Sequence, residues 1–215
     1  MPNKHMLAHE AAYKANEDPH GYVLKGAPWG SGVRPFRALY DLGMKEGHDV
    51  LDFGCGSLRV GRFLIMYLDE GRYYGIEPSE WAVKEGLSEV GSLAKVKHPQ
   101  FKHPDYDTFD AGLFGEQRFD WILISGILTH MDHTQLYSTL RTAAAALKPH
   151  GRIVASYLPQ GPDHDGTGWL YPQQAAHYAD CIRKALPPEV TFETIDVPGD
   201  AGTWFDAWFT AERVR

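Results

Sequence analysis

The run Val50-Leu-Asp-Phe-Gly-Cys-Gly-Ser-Leu-Arg-Val-Gly61 passes from a β-rich segment into helical spacing. Gly54 and Gly56 stand at the joint, where the chain turns tightly and brings bare backbone close to a ligand. A helix beginning there offers free N–H groups and positive potential to an anionic group. A second strand-like segment, Tyr73-Tyr-Gly-Ile-Glu77, ends in a carboxylate that can accept two hydrogen bonds from a ribose diol. With Asp52 just ahead of the glycines, these residues describe a site for a nucleoside-containing cofactor. A dinucleotide fingerprint has a third glycine at position 59, where this chain has Arg59. Taken alone, a glycine pair is equally compatible with a plain tight turn.

A second group of chemically capable residues follows the apolar run at 119–124, in Ser125-Gly-Ile-Leu-Thr-His130-Met-Asp-His133. A neutral imidazole at His130 suits a general base, since its unperturbed pKa is about 6.5; the other reading is a histidine that only shapes a pocket. His133 falls in the first turn of the next helix and faces water. The His-x-x-His spacing has no third ligand nearby in sequence, so no metal site is expected. Asp163-His164-Asp165, Trp169 and Tyr171 sit in or just after a Gly/Pro-rich loop and either wall an acceptor pocket or are solvated. Trp204 and Trp208 alternate with Phe205 and Phe209, as sheet-packing residues do. No base stands beside Cys55 or Cys181 in sequence, so neither is read as a nucleophile.

The elements that must position these groups follow from periodicity. Residues 1–48 are rich in Gly and Pro and are expected to be irregular, forming a lid ahead of one domain at 49–215. Strands are expected at 49–54, 73–77, 119–125 and 152–158, with a weak one near 96–101. Helices are expected at 58–68, after the N-cap Ser79, at 132–147 and at 171–186. Residues 190–197 and 203–212 read as a closing hairpin around Pro198-Gly-Asp-Ala-Gly202. Alternating strands and helices imply an α/β, Rossmann-like, doubly wound sheet, parallel except for an antiparallel C-terminal strand. Ligands then bind at the carboxyl ends of the strands.

Composition narrows the partners. With 43% hydrophobic and 23% charged residues the chain is ordinary globular material. Lys and Arg total 21 against 28 Asp and Glu, a net charge of −7 without a basic cluster. Nucleic-acid binding is therefore not expected. The longest apolar stretch, Trp121 to Leu128, falls far short of the ~20 residues of a membrane span. No signal peptide is visible, and two cysteines suit a reducing cytoplasm.

The segment Leu51-Asp-Phe-Gly-Cys-Gly56 resembles motif I of the class I S-adenosylmethionine-dependent methyltransferases. Tyr74-Gly-Ile-Glu77 resembles their second motif, Phe119 to Ser125 their fourth strand, and Leu147 to Val154 the approach to the fifth. The longer run from Gly54 to Gly61 is similar to a bacterial subgroup acting on small molecules and sugars. Leu58 replaces the third glycine of the common Asp-x-Gly-x-Gly-x-Gly pattern. The resemblance implies a seven-stranded methyltransferase fold with S-adenosylmethionine as cofactor. Asp52, Phe53, Gly54, Cys55 and Gly56 would hold its amino-acid end, Glu77 its ribose, and Ile76 and Pro78 would flank the adenine. Ser125 and Gly126 would pass under the sulfonium. Arg59 would reach the methionine carboxylate or else be a solvated helix residue. His130 would lie beside the methyl group. Two rival functions stay open at this level: a nicotinamide-dependent reductase, and a non-catalytic S-adenosylmethionine-binding regulatory protein.

Overall fold

The computed structural model describes residues 28–105, 110–128, 131, 133–157, 182–197 and 207–214, besides positions 11 and 15. Within these, seven strands follow the order β3-β2-β1-β4-β5-β7-β6 in one sheet. The chain divides into two compact units, Met1–Phe109 and Asp110–Arg215.

In the first unit, β1 (Val50–Phe53), β2 (Tyr73–Ile76) and β3 (Gln100–Lys102) are parallel. Every residue of β1 and β2 is buried, as parallel strands covered on both faces require. The register pairs Val50 with Tyr73, Asp52 with Gly75, and Gly75 with Phe101. The third strand is shorter and later than its sequence implies, because Val96 belongs to a helix and is exposed.

Among the described residues these strands are accompanied by α1 (Pro28–Asp41), α2 (Gly61–Tyr67), α3 (Glu80–Val90) and α4 (Ser92–Lys97). The existence of α1 corrects the expectation of an irregular leader up to residue 48. Gly32, Pro35, Ala38 and Leu39 form one buried stripe at helical spacing. Phe36 and Tyr40 set their rings against Tyr67 at 5.6 and 5.7 Å. This packing outweighs the Gly and Pro signals, since tertiary burial rather than propensity sustains most helices. The remainder of the expected lid, residues 1–27, lies outside the described residues apart from positions 11 and 15. Ser79 caps α3 as its type predicts, accepting from the Ala82 N–H at 3.3 Å.

The second correction is at the glycine loop. Helix α2 starts at Gly61 and not at Leu58, because a turn occupies residues 56–60. Leu58 adopts a left-handed backbone, φ 57°, at the position where the family pattern has glycine. Its side chain is fully buried and lies against the places where a Cβ on Gly61 or Gly86 would project. Buried Arg62 braces the same turn, donating from Nε to the Leu58 carbonyl at 3.1 Å and from Nη1 to Glu89 at 2.6 Å.

In the second unit, β4 (Phe119–Ile124) pairs in parallel with β5 (Leu147–Tyr157). β7 (Ala207–Glu212) is antiparallel to β5, and β6 (Glu193–Ile195) antiparallel to β7. The closing antiparallel strand thus agrees with the sequence reading. β5 begins five residues before the expected Arg152. Lys148-Pro-His-Gly151 is accommodated by a register shift between Phe119 and Trp121 and by a left-handed His150, φ 63°. Arg152 then joins three strands, lying 5.8 Å over the Trp121 ring and 2.6 Å from Glu212. Helix α5 (His133–Ala145) precedes β5. The last expected helix, 171–186, is described only from Ile182. Among the described residues no helix is long and apolar enough to cross a membrane.

The left-handed Leu58 has a measurable consequence. Both Leu58→Ala and Leu58→Gly lose its buried side chain, but only glycine relieves a backbone cost of about 1–2 kcal/mol. Denaturant unfolding should therefore find Leu58→Gly destabilised by less than Leu58→Ala, the reverse of the order in a helix. A conventional order would show that position 58 carries no left-handed penalty.

Candidate active site

Asp52 stands one strand in from Tyr73. In the parallel ladder it is level with Gly75, two residues beyond the Val50–Tyr73 pair, so Asp52, Tyr73 and Gly75 share one face of the sheet. The absence of a side chain at Gly75 leaves space that Phe101 and the Cys55 Sγ fill. The Tyr73 hydroxyl reaches the carboxylate and donates to Asp52 Oδ2 at 3.0 Å. Gly61 permits this, since a Cβ there would sit 2.5 Å from the hydroxyl oxygen. Both side chains are buried, Asp52 at 3% exposure. Burial pushes the Asp52 carboxyl from 3.8 up to about 7, against the opposing pull of the Tyr73 hydrogen bond and the Arg59 charge. Burial also pushes the Cys55 thiol and the Tyr73 phenol well up, so both remain neutral. Cys55 is a buried free thiol, in keeping with its reading as a non-nucleophile.

Glu77 is the second centre. Its Oε2 accepts the Gly56 N–H at 3.1 Å and its Oε1 the Ser79 N–H at 3.0 Å. One carboxylate therefore holds the glycine loop and the start of α3 together. The side chain is half-buried, beside the open space that a Cβ on Gly56 would enter. The amides of the loop itself are taken up within the protein. Gly54 and Cys55 both donate to the Ile76 carbonyl, at 2.8 and 3.1 Å, and Gly56 donates to Glu77. A pyrophosphate would find these three amides already committed, which weighs against a dinucleotide.

The other candidates separate on position. Arg59 lies in the turn ahead of α2 and not in its first helical turn, half-buried, with its carbonyl against Gly32 of α1. Ile76 is fully buried, so its side chain does not flank a ligand, whereas Pro78 is half-buried at the surface of the loop. Phe53 is fully buried and offers only backbone. Ser125 and Gly126, in the second unit, follow the end of β4. Gly126 has φ 72° and donates to the buried Ser156 Oγ at 2.8 Å, which pins the turn to β5. His130, Asp163, His164, Asp165, Trp169, Tyr171, Cys181, Trp204 and Phe205 lie outside the described residues. Trp208 and Phe209 are buried in β7, as their alternation implied. Sequence reasoning missed the roles of Tyr73, Gly61 and Arg62. A tyrosine opening a buried strand carries no local polar signal until its partner is known.

The Asp52 carboxyl makes stability depend on pH. Its folded pKa is above the unfolded one, so between about 4 and 7 the folded chain holds a proton that the unfolded chain releases. That contribution is intact below pH 4, is lost as pH rises, and levels off above 7. Three pKa units correspond to at most about 4 kcal/mol. Urea unfolding should show Asp52→Asn gaining stability relative to the unsubstituted protein between pH 4.5 and 7.5. An equal difference at both pH values would refute the raised pKa.

Residues 51–153, from β1 into β5, match a family model described as a methyltransferase domain. That span contains Asp52, the glycine loop, Glu77, Ser125 and Gly126. The fold is similar to magnesium protoporphyrin IX methyltransferase from Synechocystis PCC 6803 with bound SAH, at TM-score 0.62 and 16% identity over 85% of this chain and 84% of that one. An N-methyltransferase from Bradyrhizobium japonicum superposes with TM-score 0.62 and 14% identity, covering 86% of this chain and 95% of that one. Phosphoethanolamine N-methyltransferase 1 of Haemonchus contortus, in complex with phosphoethanolamine and S-adenosylhomocysteine, gives TM-score 0.74 and 14% identity, over 98% of this chain and 49% of that one. At these identities the structural likeness is one of fold. Motif residues, strand order and the family match converge on residues 51–153: this part of the chain is a methyltransferase domain, on the fold of the S-adenosylmethionine-dependent methyltransferases.

Proposed function

We propose that the protein moves a methyl group from S-adenosylmethionine to a small hydroxyl-bearing acceptor in the cytoplasm. The observation that carries the cofactor reading is the half-buried Glu77 carboxylate at the end of β2, which organises the glycine loop beside open space at Gly56. Glu77 would hold the ribose hydroxyls and Pro78 would border the adenine. Asp52 and the backbone of residues 53–56 would receive the amino-acid end, with Arg59 toward its carboxylate. Ser125 and Gly126 would border the sulfonium. When bound, the cofactor supplies a methyl group already activated on sulfur.

The chain's own task is then orientation. Holding two reactants about 3–3.5 Å apart and aligned is worth ~7–11 kcal/mol. A hydroxyl acceptor gains a further 10²–10⁴-fold from a base, which we assign to His130. A small-molecule acceptor suits the charge of −7, which repels polyanions. The fold neighbours from Synechocystis and Haemonchus contortus are named for small-molecule substrates, which supports the same class. The experiment that tests the function is release of S-adenosylhomocysteine and transfer of labelled methyl across a metabolite panel, with bulk RNA as a control. Transfer to RNA alone would overturn the acceptor class.

Two variants probe the assignments separately. Glu77→Ala should weaken binding of S-adenosylhomocysteine by about 1–3 kcal/mol in calorimetry, the scale of a lost charge-assisted hydrogen bond; unchanged affinity refutes the ribose role. His130→Ala should lower turnover by about 10²-fold or more while cofactor affinity holds, and the unsubstituted rate should rise with pH through about 6–7. An unaltered rate and pH profile would point to an amine, a thiol or an already ionised oxygen as acceptor.

A further inference from the structure

We propose that Tyr73 is a positioning residue for the cofactor's amino-acid end: its hydroxyl fixes Oδ2 of Asp52 and leaves Oδ1 to accept from an ammonium group. The inference rests on the cofactor reading above and deepens it. Tyr73 is 2% exposed, and a buried phenol needs a hydrogen-bond partner. It finds a carboxylate 3.0 Å away, one strand over and two residues further along the same face. The sequence keeps that line clear at Gly61, which opens α2 where a Cβ would strike the hydroxyl. Packing alone would not call for a hydroxyl here, since phenylalanine presents the same ring to Phe101, 5.8 Å away between centroids.

The electrostatics give the pair a consequence for binding. Desolvation holds Asp52 toward its neutral form, while the Tyr73 hydrogen bond and the Arg59 charge favour the ionised form. The other titratable groups that act on the pair are Cys55 and, through Cys55, Glu77; both Cys55 and Tyr73 stay neutral near pH 7. Asp52 is therefore the group that titrates in the neutral range. A cationic ligand group selects the ionised carboxylate, so cofactor affinity rises with pH across that titration. Tyr73 sets where the rise falls. Removing its hydroxyl moves the rise to higher pH, and a merely structural loss would weaken binding equally at every pH.

The test uses the full-length protein, with Tyr73→Phe compared against the unsubstituted chain. Carbon-detected NMR of the ligand-free protein follows the Asp52 carboxyl, and calorimetry with S-adenosylhomocysteine is run from pH 6 to 9. The expected result is an upward shift of the carboxyl titration and a Kd several-fold weaker at pH 7, with the gap closing as pH rises. Gly61→Ala, which keeps the hydroxyl but crowds it, should move both readouts the same way and serves if Tyr73→Phe is unstable. Superimposable titrations, or a Kd offset that is constant with pH, overturn the positioning role while leaving the cofactor reading in place. Failure of the unsubstituted protein to bind S-adenosylhomocysteine overturns that reading and this inference with it.

Discussion

The Glu77 carboxylate ties three pieces of the first unit together, and the site depends on that tie. Its two oxygens take the Gly56 and Ser79 amides, so the end of β2 fixes both the loop after β1 and the entry to α3. The Ile76 carbonyl completes the clamp by accepting from Gly54 and Cys55. Hydrogen bonds to an ionised acceptor are stronger than neutral ones. The same acid that reads as a ligand contact is thus also a structural brace. A loop so held is organised before any ligand arrives, which reduces the ordering cost of binding.

Behind the loop the chain accepts local strain in exchange for packing. A leucine in the left-handed region costs backbone energy that a glycine at position 58 would avoid. In return its side chain is fully enclosed, next to Gly61 and Gly86. Gly86 approaches the Ser57 carbonyl closely, so α3 packs directly on the turn. Buried Arg62 then binds the Leu58 carbonyl twice, from its backbone N–H at 2.9 Å and from Nε at 3.1 Å. The motif departs from the family pattern at one position, and the compensation is spread over three elements.

Asp52 illustrates the opposite trade. Ionised carboxylates are costly to bury without a partner, and here a neutral phenol and an arginine only partly compensate. Placing such an acid on a strand buried along its whole length costs stability near neutral pH. In the cofactor site we propose, the return is a charge that becomes favourable when a cation lies beside it, the trade of stability for function common in enzymes.

Much of this was legible from residue order alone. Continuous apolar runs at Val50–Phe53 and Phe119–Ile124 mark buried parallel strands, glycines at 54 and 56 mark a turn, and Glu77 marks the end of the next strand, all through chemistry local to a few residues. The closing antiparallel strand followed from two strand-like runs joined by a turn. Helix α1 was not legible, because its Gly and Pro content argues locally against a helix that Phe63 and Tyr67 support from elsewhere. Nor was the late start of α2, since apolar spacing at residues 60–68 cannot reveal that Leu58 has positive φ. The partnership of Tyr73 with Asp52 was equally hidden. It depends on strand register and on the room that Gly61 leaves for the hydroxyl, and both are properties of chain segments brought together in the fold. Sequence alone determined the class of fold and the residue types at the site; tertiary structure decided which of those groups are committed to one another, because burial and hydrogen-bond pairing exist only once the strands are side by side.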